Sequence, residues 1–208
     1  MAVQASQLHH VARTALHEAC RTQENWVELL KAVAPFYKYD FEDALLISAQ
    51  RPNAIACATM RQWNSRNLWI RKGSRAIYTL DPNNPYAVQR VFDISDINAP
   101  PERLPPIWSL REDIKEEAFS SLRERWQTED IPGEYDSQLY AAILEATAEQ
   151  IGDYRNDFED ARPESFMAGL EADAAEELFQ TLAVNSAFYI AAQRLGLPIP
   201  EDMDVEVF

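Results

Sequence analysis

Ala49-Gln50-Arg51-Pro52-Asn53-Ala54, then Arg61-Gln62-Trp63-Asn64, then Trp69-Ile70-Arg71-Lys72-Gly73-Ser74-Arg75-Ala76-Ile77-Tyr78: the chain changes character across these residues. An apolar helical pattern stops at Arg51-Pro52, and a pattern of short strands begins. The same residues are both basic and aromatic. Between positions 51 and 90 there are seven basic residues, Arg51, Arg61, Arg66, Arg71, Lys72, Arg75 and Arg90, against one acid, Asp81. Cations for phosphates beside flat rings for bases are what a nucleic-acid strand requires. A second reading stands beside the first: Trp63, Trp69 and Tyr78 as core, with the arginines a solvated rim.

Upstream of this stretch the periodicity predicts three helices. Residues 3–20 carry Leu8, Val11, Ala12, Ala15 and Leu16 at three- and four-residue steps. Residues 24–34 follow and end at Pro35, which pushes the preceding residue out of the helical region. The third helix, 41–50, contains Ala44, Leu45, Leu46 and Ile47 and is expected to be buried on most sides. Downstream, residues 54–64 predict a short helix. Residues 69–71, 76–80 and 87–94 read as strands, with turns at Lys72-Gly73 and Asp81-Pro82-Asn83-Asn84-Pro85. The expected fold class is α+β: N-terminal helices packed on a small antiparallel sheet, mostly a meander, followed by an acidic helical region.

Residues 1–97 form the first expected domain. Pro100, Pro101, Pro105 and Pro106 make 98–110 a stiff linker. Beyond it, 111–208 is predicted to hold helices over 112–126, 137–151 and 163–195, broken at Ile131-Pro132-Gly133, with a loop over 152–162 and a bend at Gly169. Gly196, Pro198 and Pro200 stop the last helix. The apolar end Val205-Glu206-Val207-Phe208 reads as a C-terminal truncation, and the chain as a fragment of a longer protein.

Charge divides the halves. Residues 1–100 hold eleven basic and nine acidic residues; residues 101–208 hold eight and twenty-five, within a net charge of −15. The C-terminal half repels nucleic acid. No apolar run approaches the ~20 residues of a bilayer span, and the N-terminus lacks the apolar centre of a secretory signal. Cys20 and Cys57 form no CxxC and are expected as free thiols in a reducing cytoplasm.

No catalytic constellation emerges. His17-Glu18-Ala19-Cys20-Arg21 begins like the HExxH zinc helix, but Arg21 stands where the second histidine belongs, so no imidazole pair forms there. His9, His10 and His17 match no zinc spacing. There is no phosphate-binding GxxxxGK[ST] loop and no GxSxG elbow. Adjacent carboxylates such as Glu116/Glu117 and Glu176/Glu177 point to different helix faces and make no acid–base dyad. The expectation is a chain with no enzymatic activity, no cofactor and no metal.

Gln50-Arg51-Pro52-Asn53-Ala54, Trp63-Asn64, Ile70 to Ile77 and Val91-Phe92-Asp93-Ile94-Ser95-Asp96, in this order, resemble the N-terminal domain of ArdC-type antirestriction proteins. The series is also similar to the start of large conjugative-element proteins with helicase and methylase-like segments. The match covers about a third of the chain. It implies single-stranded DNA binding. In the family a zinc-peptidase-like domain follows. Here Leu182-Ala183-Val184-Asn185-Ser186-Ala187-Phe188-Tyr189 resembles its later helix, with Asn185 where the acid would be and no HExxH before it. The resemblance thus implies a degenerate, metal-free relative of that half.

The resulting expectation is a non-catalytic single-stranded DNA-binding module of a mobile-element protein concerned with conjugation or antirestriction. Arg51, Arg66, Arg71, Lys72 and Arg75 would meet phosphates, and Trp63, Trp69 or Tyr78 would stack on bases, with Asn64 beside them. The alternative is an acidic interaction or DNA-mimic module whose C-terminal half docks on a basic DNA-processing enzyme. A metal-dependent hydrolase would need the missing histidine.

Overall fold

A computed structural model describes residues 3–128, 130 and 133–199. The chain divides into two compact units between Trp108 and Ser109. That boundary falls inside the proline-rich stretch. Ile131-Pro132, Pro200 and the apolar end at Val205–Phe208 lie outside the described residues.

The first unit is α+β. Its helices are α1 (Ala5–Ala19), α2 (Gln23–Val33), α3 (Phe41–Gln50) and the short α4 (Met60–Ser65). Its strands are β1 (Cys57–Thr59), β2 (Ile77–Asp81) and β3 (Asn84–Asp93). Thr22 caps α2 by accepting from the Asn25 N–H, and Thr59 caps α4 by accepting from the Gln62 N–H, both at 3.2 Å. The middle of α3 is apolar all round, and Ala44, Leu45, Leu46 and Ile47 are all buried. α1, α2 and the sheet pack around it.

The sheet is antiparallel with order β1-β3-β2. β2 and β3 form a hairpin with Ile77 opposite Val91 and Thr79 opposite Gln89. β1 joins the far side of β3, with Thr59 opposite Val91 and Cys57 opposite Asp93. Side chains alternate across a strand, so Ile77, Thr79, Val91 and Asp93 lie on the buried face and Tyr78, Leu80 and Arg90 on the other.

Two sequence expectations fail here. Residues 54–64 are not one helix: 57–59 are strand, and the helix begins only where Thr59 caps it. Residues 69–71 do not form a sheet strand. Ile70 makes a single bridge to Ile97, because a 3₁₀ turn at Ile94–Asp96 ends β3 and leaves only 96–98 as a partner. The sheet is therefore a hairpin with β1 added across it, rather than a meander.

The outer edge of β2 is closed by side chains of α3. The Asp43 Oδ1 accepts from the Leu80 N–H at 2.8 Å. One helical stretch further on, the Gln50 amide donates to the Tyr78 carbonyl at 2.8 Å and accepts from its N–H at 3.0 Å. Gln50 thus supplies the two hydrogen bonds a neighbouring strand would make, and an exposed edge is avoided. The Asp43 carboxyl has a raised pKa: burial disfavours its charge more than the Leu80 N–H relieves it.

The second unit is helical: α5 (Glu112–Trp126), α6 (Tyr135–Gln150), α7 (Arg155–Ala161) and α8 (Ala172–Leu195). Phe119, Leu139, Phe188, Ala192 and Leu197 form its core. Gly196, at φ +68°, closes α8 in the left-handed conformation, and the Leu197 N–H reaches back to the Ala192 carbonyl at 3.0 Å. Residues 152–162, expected as a loop, are largely helical; Phe158 of α7 stacks on Phe179 of α8 at 4.7 Å between ring centres. α8 begins at Ala172 rather than near Pro163, so Gly169 lies in a preceding 3₁₀ turn and bends nothing. No helix among the described residues is long and apolar enough to cross a membrane.

Candidate nucleic-acid interface

The motifs that stand in series along the sequence are folded onto one another. Asp93, at the end of β3, is almost wholly buried. Its Oδ1 accepts from the Ile55 N–H at 2.8 Å and the Ala56 N–H at 3.0 Å, and its Oδ2 from the Ser95 N–H at 3.0 Å. Burial alone would raise its pKa. The hydrogen bonds from Ser95, Ala56 and Ile55 outweigh that and hold the carboxyl below the usual carboxylate range. The neighbouring Cys57 thiol is pushed up to about 12, by burial first and then by the Asp93 charge. It is no activated nucleophile.

Arg51 is the second junction. One guanidinium nitrogen pairs with Asp96 at 2.5 Å, and the other donates to the Arg75 carbonyl at 2.9 Å. The Asp96 carbonyl in turn accepts from the Arg71 N–H at 2.8 Å. Arg51 and Asp96 therefore hold both ends of the 71–75 turn. Gly73, at φ +91°, lets the chain reverse inside it. Both terminal nitrogens of the Arg51 guanidinium are engaged within the fold, which removes it from the phosphate-binding set.

Trp63 is a second correction. It is 2% exposed, and its indole N–H donates to the Phe92 carbonyl at 2.9 Å. Leu68, Ile94 and Ile97 surround it, with Ile70 and Phe92 packed against them. A ring held on all sides cannot stack on a base. The capping of α4 by Thr59 sets the direction of that helix and turns Trp63 inward.

Trp69 lies on the opposite side of the same segment and is 60% exposed. The Asn98 N–H donates to its carbonyl at 2.8 Å and Ile70 bridges Ile97, so the backbone at 69–71 is held extended. Ile70 turns into the Trp63 cluster. Trp69 and Arg71, one residue to either side, point the other way. Arg71, Lys72 and Arg75 are exposed, as is Arg66 at the end of α4. Asn64 is half-buried, and its carbonyl accepts from the Asn67 N–H in the turn after α4.

Tyr78 is half-buried on the sheet face away from Val91. Arg90, directly opposite it on β3, sits over the ring with its guanidinium 6.0 Å from the centre. The sequence places Arg90 in the basic run but not beside a ring. The cross-strand register that pairs it with Tyr78 was the signal that finds it.

Among the described residues no group of three His, Cys, Asp or Glu side chains is arranged to hold a metal ion. His9 pairs with Glu42 at 2.6 Å and ties α1 to α3. Asn185 is buried in the second unit, where its Oδ1 accepts from the Tyr140 hydroxyl at 3.3 Å. Several acids of that unit are in ion pairs: Glu112 with Lys115, Glu116 with Arg123, and Glu176 with Arg155. Comparison with protein-family models, with curated proteins and with solved structures found no match for this chain.

Proposed function

We propose that the first unit is a non-catalytic module that binds single-stranded DNA, in a protein of the conjugation and antirestriction type. The observation that carries the reading is Trp69: a tryptophan 60% exposed on a braced backbone, sharing its face with Arg71 and followed by Lys72 and Arg75. A ring carried on a held backbone stacks on a base without the cost of ordering that backbone. Stacking of this kind is worth about 1–3 kcal/mol per base and needs an unpaired strand. Arg71, Lys72 and Arg75 meet the flanking phosphates, Arg66 extends the basic surface, and Arg90 over Tyr78 provides a second flat cationic position.

Fluorescence anisotropy with labelled single- and double-stranded oligonucleotides across a salt series tests this. The expected result is a preference for single strands and a log–log salt slope of roughly −2, from about three phosphate contacts at about −0.7 each. Trp69→Ala weakens binding by roughly 5- to 150-fold. Lys72→Ala flattens the slope by about 0.7. Equal affinity for duplex, or a Trp69→Ala protein that binds as well as the parent, overturns the reading.

A further inference from the structure

We infer that the groove between α6 and α8 of the second unit is a docking site for a basic amphipathic helix of a partner protein. The core of this unit, around Phe119, Leu139 and Phe188, covers one end of the α6–α8 pair. Toward the other end the pair stays open among the described residues. A groove of about 410 Å³ runs there, lined mainly by apolar atoms. Its lining includes three alanines, Ala146, Ala183 and Ala187, beside the larger Ile143, Phe179 and Tyr154. Ala187 is exposed, and Tyr154 is 54% exposed. On the other flank of the same helix pair a second cleft of about 150 Å³ adjoins Leu144, itself exposed, and shares Thr147 and Ile151 with the first.

Three features identify the occupant. The first is shape. On one side α6 contributes Ile143, Ala146, Thr147 and Gln150, and the 3₁₀ turn Ile151–Tyr154 that follows it contributes Ile151 and Tyr154, together a helical stripe about three turns, or roughly 16–18 Å, long. A trough of that length lined from two helices fits a third helix. The second is side-chain size. Three small alanines in the lining leave room for large side chains from the partner, while Ile143, Phe179 and Tyr154 offer apolar area against them. The third is charge. Residues 134–199 carry three basic side chains against thirteen acidic ones. An apolar stripe in such a field accepts a helix whose polar face is Lys- and Arg-rich and repels an acidic one. This differs from mimicry of DNA by spaced carboxylates, since apolar burial supplies the affinity and charge selects the partner.

The test uses the full chain and labelled peptides. One is a designed helix with leucines on one face and lysines on the other. The second keeps the leucine face and carries glutamates for the lysines. The third keeps the lysines and carries serines for the leucines. Binding is read by anisotropy, and the site is mapped from amide shifts. The expected result is about micromolar affinity for the first peptide alone, at least about tenfold above the others, with shifts confined to residues 143–154 and 179–187. Ala187→Phe, which fills the groove without touching the core, lowers that affinity by about tenfold and leaves circular dichroism unchanged. Equal binding of the serine peptide would show charge attraction alone and overturn the inference. So would full affinity in Ala187→Phe, shifts elsewhere on the protein, or displacement of the peptide by self-association of the chain.

Discussion

Asp93→Ala removes the acceptor around which the first unit closes. Three backbone N–H groups, of Ile55, Ala56 and Ser95, lose their partner at once. A hydrogen bond to a charged group is worth about 1.5–3 kcal/mol, so three give about 4.5 kcal/mol even at the lower end of that range. That is a large share of the roughly 5–15 kcal/mol that holds a domain folded. Asp93→Asn separates the contributions. The amide oxygen still accepts from Ile55 and Ala56, but the amide nitrogen now faces the Ser95 N–H, donor against donor. One bond is lost, for about 2 kcal/mol. The sign with pH follows from the lowered pKa of Asp93. Its stabilisation is complete above the unfolded value of ~3.9 and is lost as pH falls through the folded value. The gap between parent and Asp93→Ala should hold constant from neutrality to about pH 4 and shrink below it. Hydrogen exchange of the β3 amides in a urea series, repeated at several pH values, measures this. A loss under about 1 kcal/mol, or a gap unchanged at the acid end, refutes the argument that Asp93 is the junction.

Trp63→Ala should lower the melting temperature sharply, by a loss of about 3–5 kcal/mol, whereas Trp69→Ala should stay within about 0.5 kcal/mol of the parent while losing affinity for single strands; thermal melts of the two proteins decide it. Asp43→Asn keeps an oxygen for the Leu80 N–H and removes a charge that folding penalises, so it should be more stable than the parent at pH 7 and indistinguishable from it below about pH 4, where both are neutral; urea midpoints at the two pH values check this. Gly196→Ala meets no atom with its new methyl group but forces a left-handed backbone on alanine, and should cost about 1–2 kcal/mol in urea unfolding.

The elements that were legible in the sequence are those built by local pattern. α1, α2, α3, α5 and α6 follow from apolar spacing and from caps or prolines within a few residues of their ends. The β2–β3 hairpin follows from its turn residues. The elements that were not legible are imposed from a distance. Residues 54–59 look helical by themselves, and become extended because Asp93, 37 and 38 residues further on, accepts from their N–H groups. Residues 69–71 look like a strand, and remain a single bridge because the chain opposite them turns at Ile94. α7 carries too little apolar periodicity for its 7 residues to announce a helix, and Phe158 is ordered by Phe179 from another element. In the site, composition alone pointed to rings and cations. It could not separate Trp63 from Trp69, because the difference rests on which side of Ile70 faces the cluster.

The ordered motifs are therefore a signature of the scaffold more than of binding. Gln50 replaces a strand along β2, Arg51 ties Asp96 to the Arg75 carbonyl, and Asp93 gathers the backbone before β1. Each needs a partner from another motif, so none can change alone without taking a hydrogen-bond partner from another motif. Trp69, Lys72 and Arg66 carry no such obligation, since their side chains make no hydrogen bond or ion pair among the described residues. Substitutions at 66, 69 and 72 should therefore leave the helices and the three-stranded sheet in place. On the proposed reading, binding of single strands draws on those three positions together with Arg71 and Arg75. A triple variant, Arg66→Ser with Trp69→Ser and Lys72→Ser, should thus melt within about 1 kcal/mol of the parent and bind no single-stranded oligonucleotide at moderate salt. A triple variant that unfolds shows that these side chains belong to the scaffold after all. One that folds and still binds places the nucleic-acid surface elsewhere on the unit.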